Sequence, residues 1–423
     1  MRTFSERGDL DILSPKAFSI LRLCAIDGPL FPNLKTLELW PTIGGFVPFI
    51  PLFLSHRTLV VTIQFTEPHP KAVIASMITT LPTLCPNLRE ITLTYLPRHP
   101  MITAAVSGML LAIDRDNLRW FHVDSPLTEE AREVVYGLSN LQGLTVVVEK
   151  GTPLPLLMFP DLYNLAVRYD CGSDWLQMFH RTTLEGLKDV VFLPISEHID
   201  DILEAFERVA VAASTQKTLS GFRFNTSHSW NPNYSSLLPF TQLETLDIEF
   251  SCDDGCSSSV DDDIIADIAQ AMPKLEILCL GRAPCRTPTG VTAKGLTTLA
   301  YHCLHLSTLR IHFQVASLHP PVIPEVTSSG QLTVPRGDCA LTDLEVGEIP
   351  VPEESTSAVA LTLLHIFPHI ENIEYINEQW RKVADAIDLA KQSVDRSGKM
   401  PSLTHLGVKL MTPTSGVTSE AII

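Results

Sequence analysis

The sequence predicts an α/β solenoid, in which repeated units of strand and helix stack side by side. Three observations predict this fold. A leucine phrase returns along the whole chain, apolar segments with helical spacing lie between its copies, and the chain has 423 residues. That length exceeds the roughly 250–300 residues at which a single globular core stops growing, whereas a stack of repeats needs no single core.

The repeated phrase has the form (Pro)-x-Leu-x-x-Leu-x-Leu and is clearest at residues 31–39 and 85–93. Its copies are separated by steps such as 21 residues, from 141 to 162, and 32 residues, from 243 to 275. Steps of this size are typical of leucine-rich repeats, which run to about 20–29 residues, and the longer ones leave room for a helix. Further copies begin at Leu118, Leu141, Leu162, Leu219, Leu243, Leu275, Leu306, Leu341, Ile370 and Leu403, with degenerate copies near Leu59 and Leu184.

Apolar residues at helical spacing predict a helix between several of these copies. The segments are Val73–Leu81, Asp263–Met272, Val291–Cys303 and Ser357–Phe367. Within each phrase the side chains of a strand alternate in direction, so the leucines are expected to face the helices. The residues between them then line the concave face of a parallel sheet, which completes a leucine-rich-repeat horseshoe. A chain of separate α/β domains would instead show Gly-rich turns and long buried strands, which we do not find.

The pattern divides the chain into three parts. Residues 1–30 form an N-terminal capping segment, and residues 31–376 form the solenoid, with a long Pro-rich loop at 314–339. Residues 377–423 form a capping helix over Glu378–Arg396, a further repeat near Leu403 and a flexible tail. A capping helix is expected because the last repeat of a stack needs its apolar layer covered.

Charge and cysteine usage narrow the partners and the compartment. The net charge of −17 and the lack of a basic run disfavour binding to nucleic acid or to anionic membranes. Nine cysteines, an odd number, are scattered and several lie in apolar runs, as is typical of reduced thiols in the cytosol or nucleus. The N-terminus lacks the apolar core of a signal peptide. We therefore expect an intracellular protein, cytoplasmic or nuclear.

Two clusters of the sequence contain residue types that can form a site of chemistry. Cys252 and Cys256 flank two aspartates, yet no second close pair completes a zinc site, so the sequence predicts a polar loop between repeats. His302 and His305 fall at a helix end, where a solvated or capping role is usual. No nucleophile elbow, phosphate loop or dinucleotide fingerprint is present. The sequence therefore predicts neither an enzyme, nor a cofactor, nor a metal.

The alternation assigns the residues of the concave face, where mixed charges predict a protein partner. Besides the residues proposed for binding, it places there Glu38, Thr92, Thr94, Glu345, Glu374 and Lys409. Exposed Trp and Arg side chains often carry binding energy, whereas the alternative is a solvated face with no fixed partner. The residues proposed to bind the partner are Trp40, His122, Asp124, Arg168, Arg223, Asn225, Asp247, Glu249, Arg310 and His312.

The phrases at 32–39 and 291–311 resemble the repeats of F-box proteins. The stretches 341–350, 359–375 and 380–383 are similar to the C-terminal end of F-box/leucine-rich-repeat proteins of mushroom-forming fungi, and the resemblance spans roughly residues 10 to 396. It implies a substrate-recognition role in a cullin-RING ubiquitin ligase. An F-box, which would open with Leu-Pro-x-Glu and dock on the ligase adaptor, has no match here. The substrate-recognition role that the resemblance implies therefore applies to the repeat face only. The alternative is a ligase-independent scaffold protein.

Overall fold

The computed structural model describes most of the repeat region in two compact units, Met1–Asn225 and Thr226–Ile423. The repeat pattern does not mark this division. The described residues are 3–6, 16, 20, 23, 28–39, 47–65, 69–149, 159–169, 186–194, 218–226, 233–250, 260–281, 290–318, 339–346, 350–375 and 378–397.

Unit 1 contains an open, all-parallel sheet in which each strand lies beside the next strand of the sequence. This order is the one expected when every repeat contributes one strand to the stack. Its strands are β1 (Thr3–Glu6), β2 (Thr36–Leu39), β3 (Val60–Gln64), β4 (Glu90–Thr94), β5 (Trp120–Val123), β6 (Gly143–Val148), β7 (Asn164–Tyr169), β8 (Asp189–Pro194) and β9 (Gly221–Thr226).

Helices connect several of these strands. They are α1 (Lys71–Leu84), α2 (Pro100–Ala112) and α3 (Glu129–Tyr136). Thr128 caps α3, because its side chain accepts a hydrogen bond from the amide of Ala131. Glu129 and Glu130 then lie in the first turn, where negative charge favours the positive end of the helix dipole.

Unit 2 repeats the arrangement, with five described parallel strands in chain order. Three described helices follow strands as connections, and a fourth closes the described part of the unit. The strands are β10 (Thr245–Phe250), β11 (Ile277–Leu280), β12 (Thr308–Ile311), β13 (Asp343–Glu345) and β14 (Asn372–Glu374). The helices are α4 (Asp262–Ala271), α5 (Ala293–His302), α6 (Thr356–Ile366) and α7 (Glu378–Ser397).

Burial alternates along the strands as the leucine phrase predicts. In β2, β5 and β12, half-buried and buried residues follow each other in the pattern i-B-i-B, where the buried positions are those of the phrase. The strands are in register, so that Leu278 pairs with Leu309 and Leu309 with Leu344. These rows of apolar side chains lie beneath the helices and form the core of each unit. The predicted inward direction of the leucines is confirmed.

The predicted helices are also confirmed. They are α1, α4, α5, α6 and α7, and their ends differ from the predicted ends by at most three residues. The structure adds β1, which lies in the segment assigned to the N-terminal cap and pairs with β2. The loop predicted at 314–339 begins instead with a short 3-10 helix, Val315–Leu318, whose two end residues are buried. Residues 319–338 and the repeat predicted near Leu403 lie outside the described residues.

A carboxylate links the N-terminal ends of two consecutive helices, α4 and α5, in unit 2. Asp262, at the start of α4, accepts hydrogen bonds from the amide of Thr292 (2.7 Å), the hydroxyl of Thr292 (2.6 Å) and the amide of Gly295 (3.0 Å). It thereby satisfies amide groups that the start of α5 would otherwise leave without a helical partner. A Cβ atom at position 295 would lie 2.5 Å from the carboxylate, so glycine allows this close approach.

We expect Asp262→Ala to lower the free energy of unfolding by about 1.5–3 kcal/mol, because hydrogen bonds to a charged group are worth about that much. The measurement is urea-induced unfolding. Asp263→Ala is the matched control: its carboxylate is 90% exposed and lies 3.8 Å from Lys294, so a loss below about 0.5 kcal/mol is expected. Equal losses in the two variants would contradict the role assigned to Asp262.

Candidate functional site

The strand residues that alternate with the buried leucines form the open face of each unit. In unit 1, the register aligns them in rows that cross the strands. One row joins Trp120 to Gly143 and Asn164, and the next joins His122 to Thr145 and Ala166. The side chains of these rows are not part of the layer of leucines beneath the helices, so they are the groups that unit 1 presents on this face.

Trp120 lies across strand β6, over Gly143. A Cβ atom at position 143 would overlap the indole ring, so only glycine leaves room for it. The ring is half-buried, meets Tyr163 edge-on at 5.2 Å between centroids and lies 5.4 Å from the ring of His122. Sequence reasoning missed Trp120, although an aromatic residue at an alternating position of a strand, paired with a glycine, is the signal that could have found it.

His122 is held beside this tryptophan. Its Nδ1 lies 2.7 Å from the hydroxyl of Thr145. Burial lowers the pKa of His122 to about 4, and the nearby carboxylate of Asp124 opposes this only in part. At neutral pH the imidazole is therefore uncharged, and it can donate or accept a hydrogen bond on the open face.

An ion pair, which we name the Arg168 bridge, joins Arg168 of β7 to Asp124. Val147 of β6 pairs with Arg168 in the register, and this valine is only 8% exposed. Asp124 also accepts a hydrogen bond from the amide of Tyr95 (3.0 Å), which has the left-handed backbone φ of 59°. The carboxylate is thus held from two sides, which fixes the position of the guanidinium on the face.

We expect the stability of the wild type, relative to His122→Gln, to decrease as the pH falls from 6.5 to 4. The ordinary pKa of 6.5 applies to the unfolded chain, and the folded value is about 4. Between these values the unfolded state binds a proton that the folded state excludes. The contribution of His122 to the free energy of unfolding is therefore complete above pH 6.5 and lost as the pH approaches 4. The difference corresponds to roughly 3 kcal/mol. Urea unfolding of both proteins at several pH values tests this, and parallel pH profiles would contradict it.

In unit 2, one row of the open face carries Asp247, Cys279, Arg310, Glu345 and Glu374 on adjacent strands. Arg310 binds Glu345 through its Nε and Glu249 through an Nη, and we name this group the Arg310 bridge. The three side chains are only 19–24% exposed, so water screens their charges less than at an open surface.

Cys279 is enclosed by this group. Its side chain is buried, and burial raises the pKa of its thiol to about 12, with the charge of Asp247 adding to the rise. The thiol therefore stays protonated at neutral pH and behaves as a small apolar side chain between charged neighbours. Sequence reasoning placed Cys279 only within an apolar run and missed its place in the charged row.

The predicted binding residues are brought together in two groups. His122, Asp124 and Arg168 lie together in unit 1, and Asp247, Glu249 and Arg310 lie together in unit 2, whereas Arg223 is exposed and Asn225 half-buried on β9. Trp40 lies outside the described residues.

His312 needs a correction. It was expected on the face, but it is only 4% exposed. The reason is that β12 ends at Ile311 and the next two residues are both buried, so the alternation of a strand no longer applies.

Other sequence predictions concern metals, thiols and membranes. Within the described ranges no three His, Cys, Asp or Glu residues are arranged to hold a metal ion. Cys252 and Cys256 lie outside those ranges. The four cysteines of the described part, Cys85, Cys279, Cys303 and Cys339, are buried and free. None of the described helices has the length and apolar character needed to cross a bilayer.

Comparison with known proteins gives no match: neither a protein-family model nor a curated protein corresponds to this sequence.

Proposed function

We propose that the chain is a leucine-rich-repeat module that binds a protein partner on its open face, like the substrate-recognition part of an F-box protein. The observation that carries this proposal is the open face of unit 1, where Trp120, His122 and the Arg168 bridge stand side by side. Support for the repeat class comes from the leucine phrase, from the strand that each repeat contributes and from the rows of buried leucines.

The composition of this face suits protein recognition. Tryptophan and arginine are enriched among the residues that dominate binding energy at protein interfaces. Trp120 is fixed between two rings, and Arg168 by a carboxylate, so little side-chain freedom remains to be lost on binding. Arg223 adds an exposed cation on β9. Fixed aromatic and charged groups of this kind give a partner a defined place to dock.

The test is an affinity pull-down from the native cell, read by mass spectrometry. The face variant is Trp120→Ala/Arg223→Ala. The matched control is Met101→Ala/Arg115→Ala, which removes an exposed apolar side chain and an exposed arginine from α2 and the turn after it, away from the open face. We expect the face variant to recover at least about tenfold less of a specific partner, because loss of one central contact costs about 2 kcal/mol or more. The control should recover it in full.

The outcomes separate the two versions of the proposal. Cullin-ligase subunits recovered with the wild type would support the ubiquitin-ligase role that the resemblance implies. A partner that depends on Trp120 and Arg223, without ligase subunits, would favour the ligase-independent scaffold. Identical partners from wild type, face variant and control would overturn recognition by this face.

A further inference from the structure

We propose that the open face of unit 2 binds a basic protein segment, rich in lysine or arginine, laid across strands β10 to β14. This inference rests on the proposed function, since it names the partner chemistry of a protein-binding face. It concerns a different set of residues from those of unit 1, so each can be tested without the other.

The first step is the charge of the face. The described positions of this face carry five carboxylates and one arginine, which gives a formal charge of −5 + 1 = −4 over five strands. Hydrogen bonds from Thr342 and Asn372 lower the pKa of Asp343, so this carboxylate stays ionised at neutral pH. The carboxylates are those of Asp247, Glu249, Asp343, Glu345 and Glu374, and the arginine is Arg310.

The second step is that this charge is local. In unit 1 the described positions of the open face from β2 to β9 carry four carboxylates and two arginines, or −4 + 2 = −2 over eight strands. The excess in unit 2 is therefore not an average share of the net charge of −17. The residues counted in unit 1 are Glu38, Glu90, Asp124, Asp189, Arg168 and Arg223.

The third step is that two carboxylates of this face are neighbours on adjacent strands. Glu345 and Glu374 stand directly opposite each other in the register, on strands about 4.8 Å apart. Like charges in this position destabilise a strand pair. Arg310 lies on the strand at the other side of Glu345, and its guanidinium already binds Glu345 and Glu249. A cation placed between Glu345 and Glu374 by a partner would relieve the repulsion.

The fourth step concerns the form of the partner. In the central row the carboxylates of Glu345 and Glu374 lie on the adjacent strands β13 and β14, and that of Asp247 lies on β10, beyond Cys279 and Arg310, so the line of charge runs across the sheet on both sides of Arg310. An extended segment places every second side chain on one side, at a spacing of about 6.6–6.8 Å. Arginine suits such a row especially well, because its planar guanidinium can bind a carboxylate through two hydrogen bonds. Complementary charge also speeds the encounter with a basic partner.

The experiment measures binding of two fluorescent peptides to the full chain by fluorescence anisotropy. One peptide has twelve residues of alternating Arg and Ser, and the other has Glu in place of Arg. The face variant is Glu345→Gln/Glu374→Gln. The matched control is Asp267→Asn/Glu354→Gln, which removes the same charge from exposed positions of α4 and of the turn before α6. A third variant, Glu374→Gln, leaves the Arg310 bridge intact.

We expect the basic peptide to bind and the acidic one not to. The face variant should bind about tenfold more weakly, Glu374→Gln should show part of that loss, and the control should stay within about twofold of the wild type. Circular dichroism and thermal unfolding of each variant establish that the loss is not one of folding.

Equal losses in the face variant and the control would overturn the inference, since the peptide would then respond only to overall charge. Failure of the basic peptide to bind would also overturn it. Neither result touches the pull-down with Trp120 and Arg223, whose outcome decides the proposed function by itself.

Discussion

Replacement of Trp380 by alanine is expected to lower the stability of unit 2 by about 3–5 kcal/mol, the usual cost of truncating a fully buried tryptophan. Trp380 lies on α7 with no exposed surface, and its ring meets that of Phe313 edge-on at 5.9 Å between centroids. The truncation would leave a cavity between α7 and the repeats that it covers. The measurement is urea unfolding of the full chain, followed by circular dichroism and tryptophan fluorescence.

Leu389→Ala is the control for this prediction. Leu389 lies on the same helix but is 51% exposed, so its truncation should cost less than about 1 kcal/mol. Comparable losses in the two variants would show that α7 does not cover the end of the core in the way described.

The second large effect is expected from Arg310→Ala, which should cost about 2–3 kcal/mol. The substitution leaves Glu249 and Glu345 partly buried without the cation that binds both, and losing one partner of such a group is more costly than the group is stabilising. This loss of stability is smaller than that for fully buried ion pairs because the side chains are about one-fifth exposed, so water partly screens their charges. Chemical denaturation measures it.

A double-mutant cycle distinguishes this cause from a simple loss of packing. When Glu249 and Glu345 are both glutamine, Arg310→Ala should cost at least about 1 kcal/mol less than in the wild type, because no charge is then left behind. An unchanged cost in that background would mean that the ion pairs do not produce the effect.

The strands and most helices could be predicted because each is encoded in a short window of sequence. The leucine phrase marks β2 to β14 with few exceptions, and the helical stripe marks α1 and α4 to α7. Helix α2 escaped because it is apolar on most of its surface, so it shows no polar face. Helix α3 has only eight residues, and β1 has only four and no leucine phrase.

The site could be predicted only in part, for a different physical reason. Alternation gives the face of each residue, and it correctly placed Asp124, Arg168 and Arg310 there. It does not give cross-strand pairing, which depends on register and on connections of unequal length. The Arg168 bridge joins residues 44 positions apart, and the position of Trp120 depends on a glycine in the next repeat. Where the strand ended, at Ile311, the rule failed for His312.

The Arg310 bridge has a consequence for how unit 2 comes apart. In repeat proteins each repeat ordinarily interacts only with its nearest neighbours, so the ends can fray one repeat at a time. Arg310 of β12 instead binds Glu345 of β13 on one side and, across β11, binds Glu249 of β10 on the other. This coupling beyond the nearest neighbour links four strands, so their amides should exchange with solvent in one cooperative step. A segment bound across them would rest on a surface that opens as one block, and its release would be coupled to the opening of all four strands.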